Sequence, residues 1–120
     1  MLQRFLPKLL ILLALLAAPL SAEAHAILVE STPAVNGTAA GPNVSFALRY
    51  NSRIDHARSR LTLTLPDQST KVLDIAKDGP EDQLTTTAEL APGAYSLRWQ
   101  VLAIDGHITR GDVPFTVTGN

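Results

Sequence analysis

The sequence predicts an all-β domain, a seven-stranded antiparallel Greek-key β-sandwich or barrel. Several segments alternate apolar and polar residues with a period of two, which is typical of half-buried strands. Turn-forming pairs such as Asn36-Gly37 and Pro92-Gly93 separate these segments at short intervals. A chain of 120 residues is long enough for one such domain.

Seven segments are candidates for the strands, and Trp99 is the large apolar residue expected at the centre of the core. The alternation is clearest in four of them, and three more are weaker candidates: residues 44–50, 61–65, 95–101 and 113–117, then 26–30, 70–75 and 84–90. No window has the sustained 3.6-residue apolar period of an amphipathic helix. The sequence therefore indicates strands joined by turns along its whole folded part.

Residues 1–24 have the three-part pattern of a secretory signal peptide. Arg4 and Lys8 precede the apolar run 9–18, and the small-x-small triplet 22–24 supplies a cleavage site. The run is too short to cross a bilayer, which takes about 20 apolar residues. We expect cleavage after Ala24, export to the periplasm, and a mature domain over residues 25–120 that does not span the membrane.

Composition excludes several classes of function. The formal net charge of −1 provides no basic field for a nucleic-acid backbone, so nucleic-acid binding is not expected. The sequence contains no cysteine, which excludes disulfides and thiolate metal sites. Its one methionine is Met1, so the mature chain has no soft sulfur ligand for Cu(I).

Cleavage after Ala24 would make His25 the first residue of the mature protein. Its free α-amine and its imidazole could then close a six-membered chelate on one metal ion, which an internal histidine cannot do. Both groups lose their protons near neutral pH when a cation competes for them. The alternative is chance, because some residue must follow every cleavage site.

The triplet Asp105-Gly106-His107 is the second candidate for metal binding. In extended backbone, residues i and i+2 project to the same side, so the carboxylate and the imidazole would point together. With His25 they would supply three nitrogens and one oxygen, a donor set that suits tetragonal Cu(II), although Zn(II) could use it as a tetrahedron. The alternative is a hairpin turn in which Asp105 bonds its own backbone and His107 is solvated.

The third histidine, His56, follows the strand over residues 44–50 and lies among three arginines. Arg53, Arg58 and Arg60 make this segment cationic and unfavourable for a metal ion. We interpret His56 as a solvated loop residue.

These features together resemble the CopC family of exported copper-binding proteins. The resemblance is carried by residues 25–34, 46–51 and 95–101, by the triplet 105–107, and by Gly111 with the strand 113–117. It implies a seven-stranded Greek-key barrel or sandwich of the Ig-like or cupredoxin-like kind. It also implies one Cu(II) per chain, held by His25, Asp105 and His107. A glutamate that some relatives place after the strand at 46–50 has no counterpart here, and the missing methionines imply a Cu(II)-only site.

The resemblance further implies a non-enzymatic role in which the protein sequesters or delivers copper. The partners expected are the copper ion and a separate CopD-like permease of the inner membrane, with the protein itself a monomer. One alternative is a copper-dependent oxidative enzyme of the polysaccharide monooxygenase kind, which also uses an N-terminal histidine. Only 5% of the residues are aromatic, which argues against a broad polysaccharide-binding face. The other alternative is a metal-free Ig-like interaction module.

Overall fold

A computed structural model describes residues 25–119, which form eight β-strands in two sheets packed against each other. The predicted signal peptide at residues 1–24 lies outside the described residues. The part of the chain that is described holds no helix with the length and apolar character needed to cross a bilayer. The strands are β1 (Leu28–Thr32), β2 (Gly37–Ala40), β3 (Asn43–Tyr50), β4 (Arg60–Thr64), β5 (Thr70–Leu73), β6 (Gln83–Glu89), β7 (Gly93–Leu102) and β8 (Ile108–Thr118).

The smaller sheet has the strand order β1-β3-β6, and the larger sheet has the order β2-β8-β7-β4-β5. This architecture confirms the all-β prediction, but the count is eight strands instead of seven, and the pairing is not antiparallel throughout. The extra strand, β2, runs parallel to β8, with Gly37 opposite Phe115 and Ala40 opposite Thr118. Its residues lie between the turn signals Asn36-Gly37 and Gly41-Pro42 and lack apolar alternation, so no strand was predicted there.

The core lies between the two sheets and is built from alternate residues of each strand. Trp99 of β7 is central to it, as predicted: it is buried, and its ring meets that of Tyr50 edge to face at a centroid distance of 5.3 Å. Gly111 of β8 lies opposite Trp99, and a Cβ at this position would come within 2.4 Å of the indole Cζ2. The glycine therefore provides the space that the indole occupies.

Three segments lie together at one end of the sandwich: the start of the described chain, the loop after β3 and the loop between β7 and β8. The Asn51 amide donates to the Ile27 carbonyl at 3.0 Å, and the Asp55 amide donates to the Leu102 carbonyl at 2.9 Å. These bonds join segments that are far apart in sequence. They bring His25 to the end of the larger sheet where the triplet 105–107 lies.

Candidate metal centre

The backbone next to His25 is held in place at three points. Ala26 is buried in the core, and its carbonyl accepts a hydrogen bond from the Thr109 hydroxyl at 2.8 Å. The Ile27 amide donates to Asn51 Oδ1 at 2.8 Å, and the Asn51 amide donates back to the Ile27 carbonyl. Residues 26 and 27 are thus fixed to both sheets, while the His25 side chain remains exposed at their edge.

Asn51 and Thr109 were not among the predicted site residues. The side chains of both form hydrogen bonds with the backbone of residues 26 and 27, and neither contact follows from residue type. The available signal was that Asn51 ends the segment 46–51, one of those that carry the resemblance to the CopC family.

The loop between β7 and β8 is a tight five-residue turn that presents His107. The Ala103 amide donates to the His107 carbonyl at 2.8 Å, and the Gly106 amide donates to the Ala103 carbonyl at 2.9 Å. Gly106 has φ +93°, in the left-handed region that glycine adopts without steric cost. The turn therefore depends on glycine at position 106.

Within this turn, both oxygens of Asp105 bond to His107. Oδ1 accepts from the His107 backbone amide at 3.1 Å, and Oδ2 lies 2.6 Å from the ring Nδ1. The expectation of extended backbone at this triplet is wrong, since the chain forms the Asp-Gly turn considered as its alternative. The two side chains nevertheless point together, because the turn itself directs the ring toward the carboxylate.

The charge on Asp105 is stabilised by the same contacts. Partial burial acts to raise the pKa of this carboxyl, but the hydrogen bonds from the His107 backbone amide and ring, with the charge of that ring, outweigh it. The pKa of Asp105 therefore lies below its ordinary value. An ionised carboxylate accepts hydrogen bonds and donates none, which suits it to both contacts with His107.

The rings of His25 and His107 meet directly. Their centroids are 4.8 Å apart and their planes make an angle of 67°. Imidazole nitrogens bind metal ions at about 2 Å, so two rings in contact bring nitrogens within reach of one ion. The structure thus brings the three predicted residues together as a chain of contacts, in which His25 contacts His107 and His107 bonds Asp105.

The arrangement is not a closed metal cage. Across residues 25–119, no three side chains of His, Asp or Glu converge in a way that would hold a metal ion. Asp105 turns both oxygens toward His107, and the contact between His25 and His107 is one of ring against ring. The third nitrogen in the predicted set is the α-amine of His25, which is a peptide nitrogen until the chain is cut before this residue.

His56 is placed differently from the prediction of a solvated side chain. It is partly buried, and its Nε2 lies 2.9 Å from the Pro80 carbonyl oxygen and 2.7 Å from the Gln83 carbonyl oxygen. Carbonyl oxygens only accept, so Nε2 carries a proton and donates. His56 therefore links the loop after β3 to the start of β6 and to the segment just before it. This nitrogen is not available to a metal ion.

Comparison with known proteins identifies the family. The CopC domain model matches residues 28–118, which include all eight strands. The chain belongs to the CopC family. The resemblance inferred from the sequence is thereby confirmed for the domain as a whole.

Individual relatives of this CopC-family protein agree with that assignment. It is similar to Protein YobA of Escherichia coli strain K12, with 32% identity over 99 residues that cover 78% of this chain and 79% of the relative. It is 32% identical over 110 residues to Copper resistance protein C of Xanthomonas campestris pv. juglandis, covering 83% and 85% of the two chains. The crystal structure of CopC from Methylosinus trichosporium OB3b superposes with a TM-score of 0.70 at 27% identity, covering 80% of this chain and 96% of that one.

Proposed function

We propose that this CopC-family protein binds one Cu(II) ion per chain in the periplasm and sequesters or delivers it without catalysing a reaction. The observation that carries the proposal is the contact between His25 and His107, whose rings are 4.8 Å apart. Asp105 belongs to the same site through its bonds to His107. Family membership and a relative named as a copper resistance protein support copper as the ion.

The donor chemistry favours Cu(II) over other ions. In the mature chain, the α-amine and ring of His25 and the ring of His107 offer three nitrogens, with a carboxylate nearby. Cu(II) prefers nitrogen and oxygen ligands in a tetragonal arrangement and has the highest affinity in the divalent series. Cu(I) prefers sulfur, which the sequence from His25 onward does not contain.

The site is suited to transferring the copper ion to or from another protein. The His107 side chain is 59% exposed, and His25 is exposed as well, so another protein can approach both rings. We propose that the chain acts as a monomer and passes copper to, or accepts it from, a separate membrane permease of the CopD kind. Binding weakens as pH falls, because the amine and both imidazoles must be deprotonated to hold the ion.

The decisive experiment uses tag-free mature protein that begins at His25, titrated with one equivalent of Cu(II). Electron paramagnetic resonance (EPR) is expected to show a tetragonal Cu(II) signal with nitrogen hyperfine structure. A form extended by one residue before His25 loses the chelating amine, and we expect it to bind Cu(II) much more weakly. His56→Ala is the matched control, because this variant also removes an imidazole but leaves the proposed donors in place.

Two results would contradict the proposal. One is equal affinity of the extended and mature forms, since the amine would then play no part. The other is a loss of Cu(II) binding in His56→Ala as large as in His25→Ala. Cleavage of polysaccharide by the copper-loaded protein with peroxide would contradict the non-enzymatic role alone.

A further inference from the structure

Two large apolar residues are exposed beside the candidate metal centre, at one end of the larger sheet. Ile104 is 65% exposed and Ile108 is 48% exposed. Ile108 follows His107 directly and pairs with Leu102 across strands β7 and β8, while Leu102 and Ile104 line one shallow groove. Apolar residues that are exposed together mark an interaction site, whereas single ones need no explanation.

Two arginines extend this surface along the outer face of the sheet. Arg110 lies two residues after Ile108 on β8, so both side chains project to the same side. Arg110 pairs with Gln100 across the strands, and Gln100 pairs in turn with Arg60. Arg60 and Arg110 form no ion pair with any carboxylate among residues 25–119. Their charges are therefore available to an external anion.

A third arginine borders the exposed isoleucines. Arg58 lines the shallow groove together with Ile104, and its side chain is 76% exposed. Its Nε lies 4.0 Å from Asp55 Oδ2, an exposed and therefore weak ion pair, and Asp105 directs both its oxygens to His107. We define the arginine–isoleucine surface as Arg58, Arg60, Ile104, Ile108 and Arg110.

This surface is cationic although the mature chain as a whole is not. From residue 25 onward the sequence holds eight basic and ten acidic residues, because Arg4, Lys8 and Glu23 lie in the predicted signal peptide. All six arginines of this part lie within residues 49–60 and 98–110. Attraction to an anionic partner is thus a local property of the chain.

We propose that the arginine–isoleucine surface binds the headgroups and the outer apolar layer of an anionic phospholipid membrane. Guanidinium groups bind phosphate oxygens in pairs, and the isoleucines reach the apolar layer beneath the phosphates. A bilayer offers charge and apolar area together over any area. A protein partner would need carboxylates and an apolar patch in register with these five positions.

The surface adjoins the rings of His107 and His25, so a bound membrane lies next to the candidate metal centre. Its value for copper transfer rests on the proposed function, in which the exchange partner is a permease of the same membrane. Three arginines without a lipid anchor give weak and reversible binding, because stable anchoring takes stronger signals. The protein can then visit the membrane and leave it.

The test uses metal-free mature protein and vesicles of phosphatidylcholine, either pure or with about 30% phosphatidylglycerol. We expect vesicle flotation to show binding only with phosphatidylglycerol, and weaker binding at about 150 mM salt than at about 10 mM. Equal binding to both vesicles, or binding to neither, would overturn the proposal. Line broadening of the amide NMR signals on adding vesicles should begin at residues 58–60 and 102–110, a measurement that needs no variant.

The matched variants change charge or apolar area inside and outside the surface. Each arginine near an anionic membrane is worth about fivefold in affinity, so Arg60→Gln with Arg110→Gln should weaken binding about 10- to 30-fold. Lys71→Gln with Lys77→Gln removes the same charge elsewhere and should have little effect. Ile104→Ser should weaken binding several-fold, whereas Val35→Ser, at a residue that is 52% exposed, should not. Equal losses in the paired variants would overturn the proposal.

Other occupants and the proposed function give different results. Capture of polyglutamate by the wild type without any vesicle binding would assign the surface to an acidic protein. A dimer in sedimentation that the double arginine variant abolishes, again without vesicle binding, would assign it to a second copy of the chain. Either overturns the lipid proposal and leaves Cu(II) binding untouched. Vesicle binding by a protein that binds no Cu(II) would instead overturn the proposed function alone.

Discussion

Two turns at opposite ends of the larger sheet have the same construction, although only one lies at the candidate site. They are residues 65–69 between β4 and β5 and residues 103–107 between β7 and β8. In each, the first amide donates to the fifth carbonyl at 2.8 Å and the fourth amide donates to the first carbonyl at 2.9 Å. Each has an aspartate in third place whose Oδ1 accepts the fifth amide, at 3.0 Å and 3.1 Å respectively.

The turns differ in the fifth residue and in what faces it. In the first, the Ser69 hydroxyl bonds the same oxygen of Asp67 that accepts the Ser69 amide, at 2.6 Å. In the second, the fifth residue is His107, whose ring uses one nitrogen for Asp105 and meets the ring of His25. The same kind of turn thus becomes part of a candidate metal site for two reasons. Its fifth residue is a histidine, and His25 lies beside that histidine.

The largest expected effect is on Cu(II) affinity, which should depend on the fifth residue of one turn and not on that of the other. His107→Ala removes one of the two imidazoles in contact, and we expect Cu(II) affinity to fall on the order of 100-fold or more. Ser69→Ala removes the equivalent side chain from the other turn and should leave Cu(II) affinity unchanged. Competition titration of both mature variants measures the difference. Equal affinities for wild type and His107→Ala would show that the site is elsewhere.

The strands could be predicted from the sequence because burial of one sheet face imposes a period of two, as in Phe46, Leu48 and Tyr50. β2 could not, since Gly37–Ala40 is held by parallel pairing to β8 and not by a pattern of its own. Parallel pairing of this kind depends on where the rest of the fold places the partner strand.

The site residues could be predicted by type, but their contacts could not. The contact between His25 and His107 depends on hydrogen bonds that Thr109 and Asn51 make to residues 26 and 27, which no local pattern reveals. The contact between Asp105 and His107 depends on a turn, whereas the spacing of the triplet predicted extended backbone. Both follow from tertiary placement.

The next effect concerns the fourth residue of each turn, which has a positive φ: +73° at Gln68 and +93° at Gly106. A side chain at Gly106 would meet no heavy atom within 4 Å, so the cost of Gly106→Ala is conformational. We expect it to lower the free energy of unfolding by about 1–2 kcal/mol. Gln68→Gly relieves the same strain in the folded state, but it also increases the conformational entropy of the unfolded chain. Because these two effects oppose each other, we expect a stabilisation of no more than about 1 kcal/mol.

Urea denaturation of the metal-free mature proteins measures both changes. Because Gly106→Ala also displaces His107, it should weaken Cu(II) binding, whereas Gln68→Gly should not. If Gly106→Ala had the stability and the Cu(II) affinity of the wild type, the positive φ would not be needed to present the ring. The two substitutions therefore separate strain in the turn from its use at the site.

The smallest expected effect is on acid stability, and the two turns should share it. The pKa of Asp67 is lowered, first by the Ser69 hydroxyl and then by the Ser69 amide, and the pKa of Asp105 is lowered by His107 against partial burial. A carboxyl whose pKa is lower in the folded state than in the unfolded state stabilises the fold above its unfolded pKa, about 3.9. That contribution is lost as pH falls through the folded value.

We therefore expect the free energy of unfolding of the metal-free wild type to fall between pH 5 and pH 2.5. The fall should be shallower in Asp67→Asn and in Asp105→Asn, and shallowest in the double variant, because the two turns are far apart and their effects add. Both carboxylates lie in surface turns, so each difference is small. The outcome against this expectation is that the free energy of unfolding falls equally steeply with pH in Asp67→Asn and in the wild type, but less steeply in Asp105→Asn. The two turns would then not stabilise the fold in the same way.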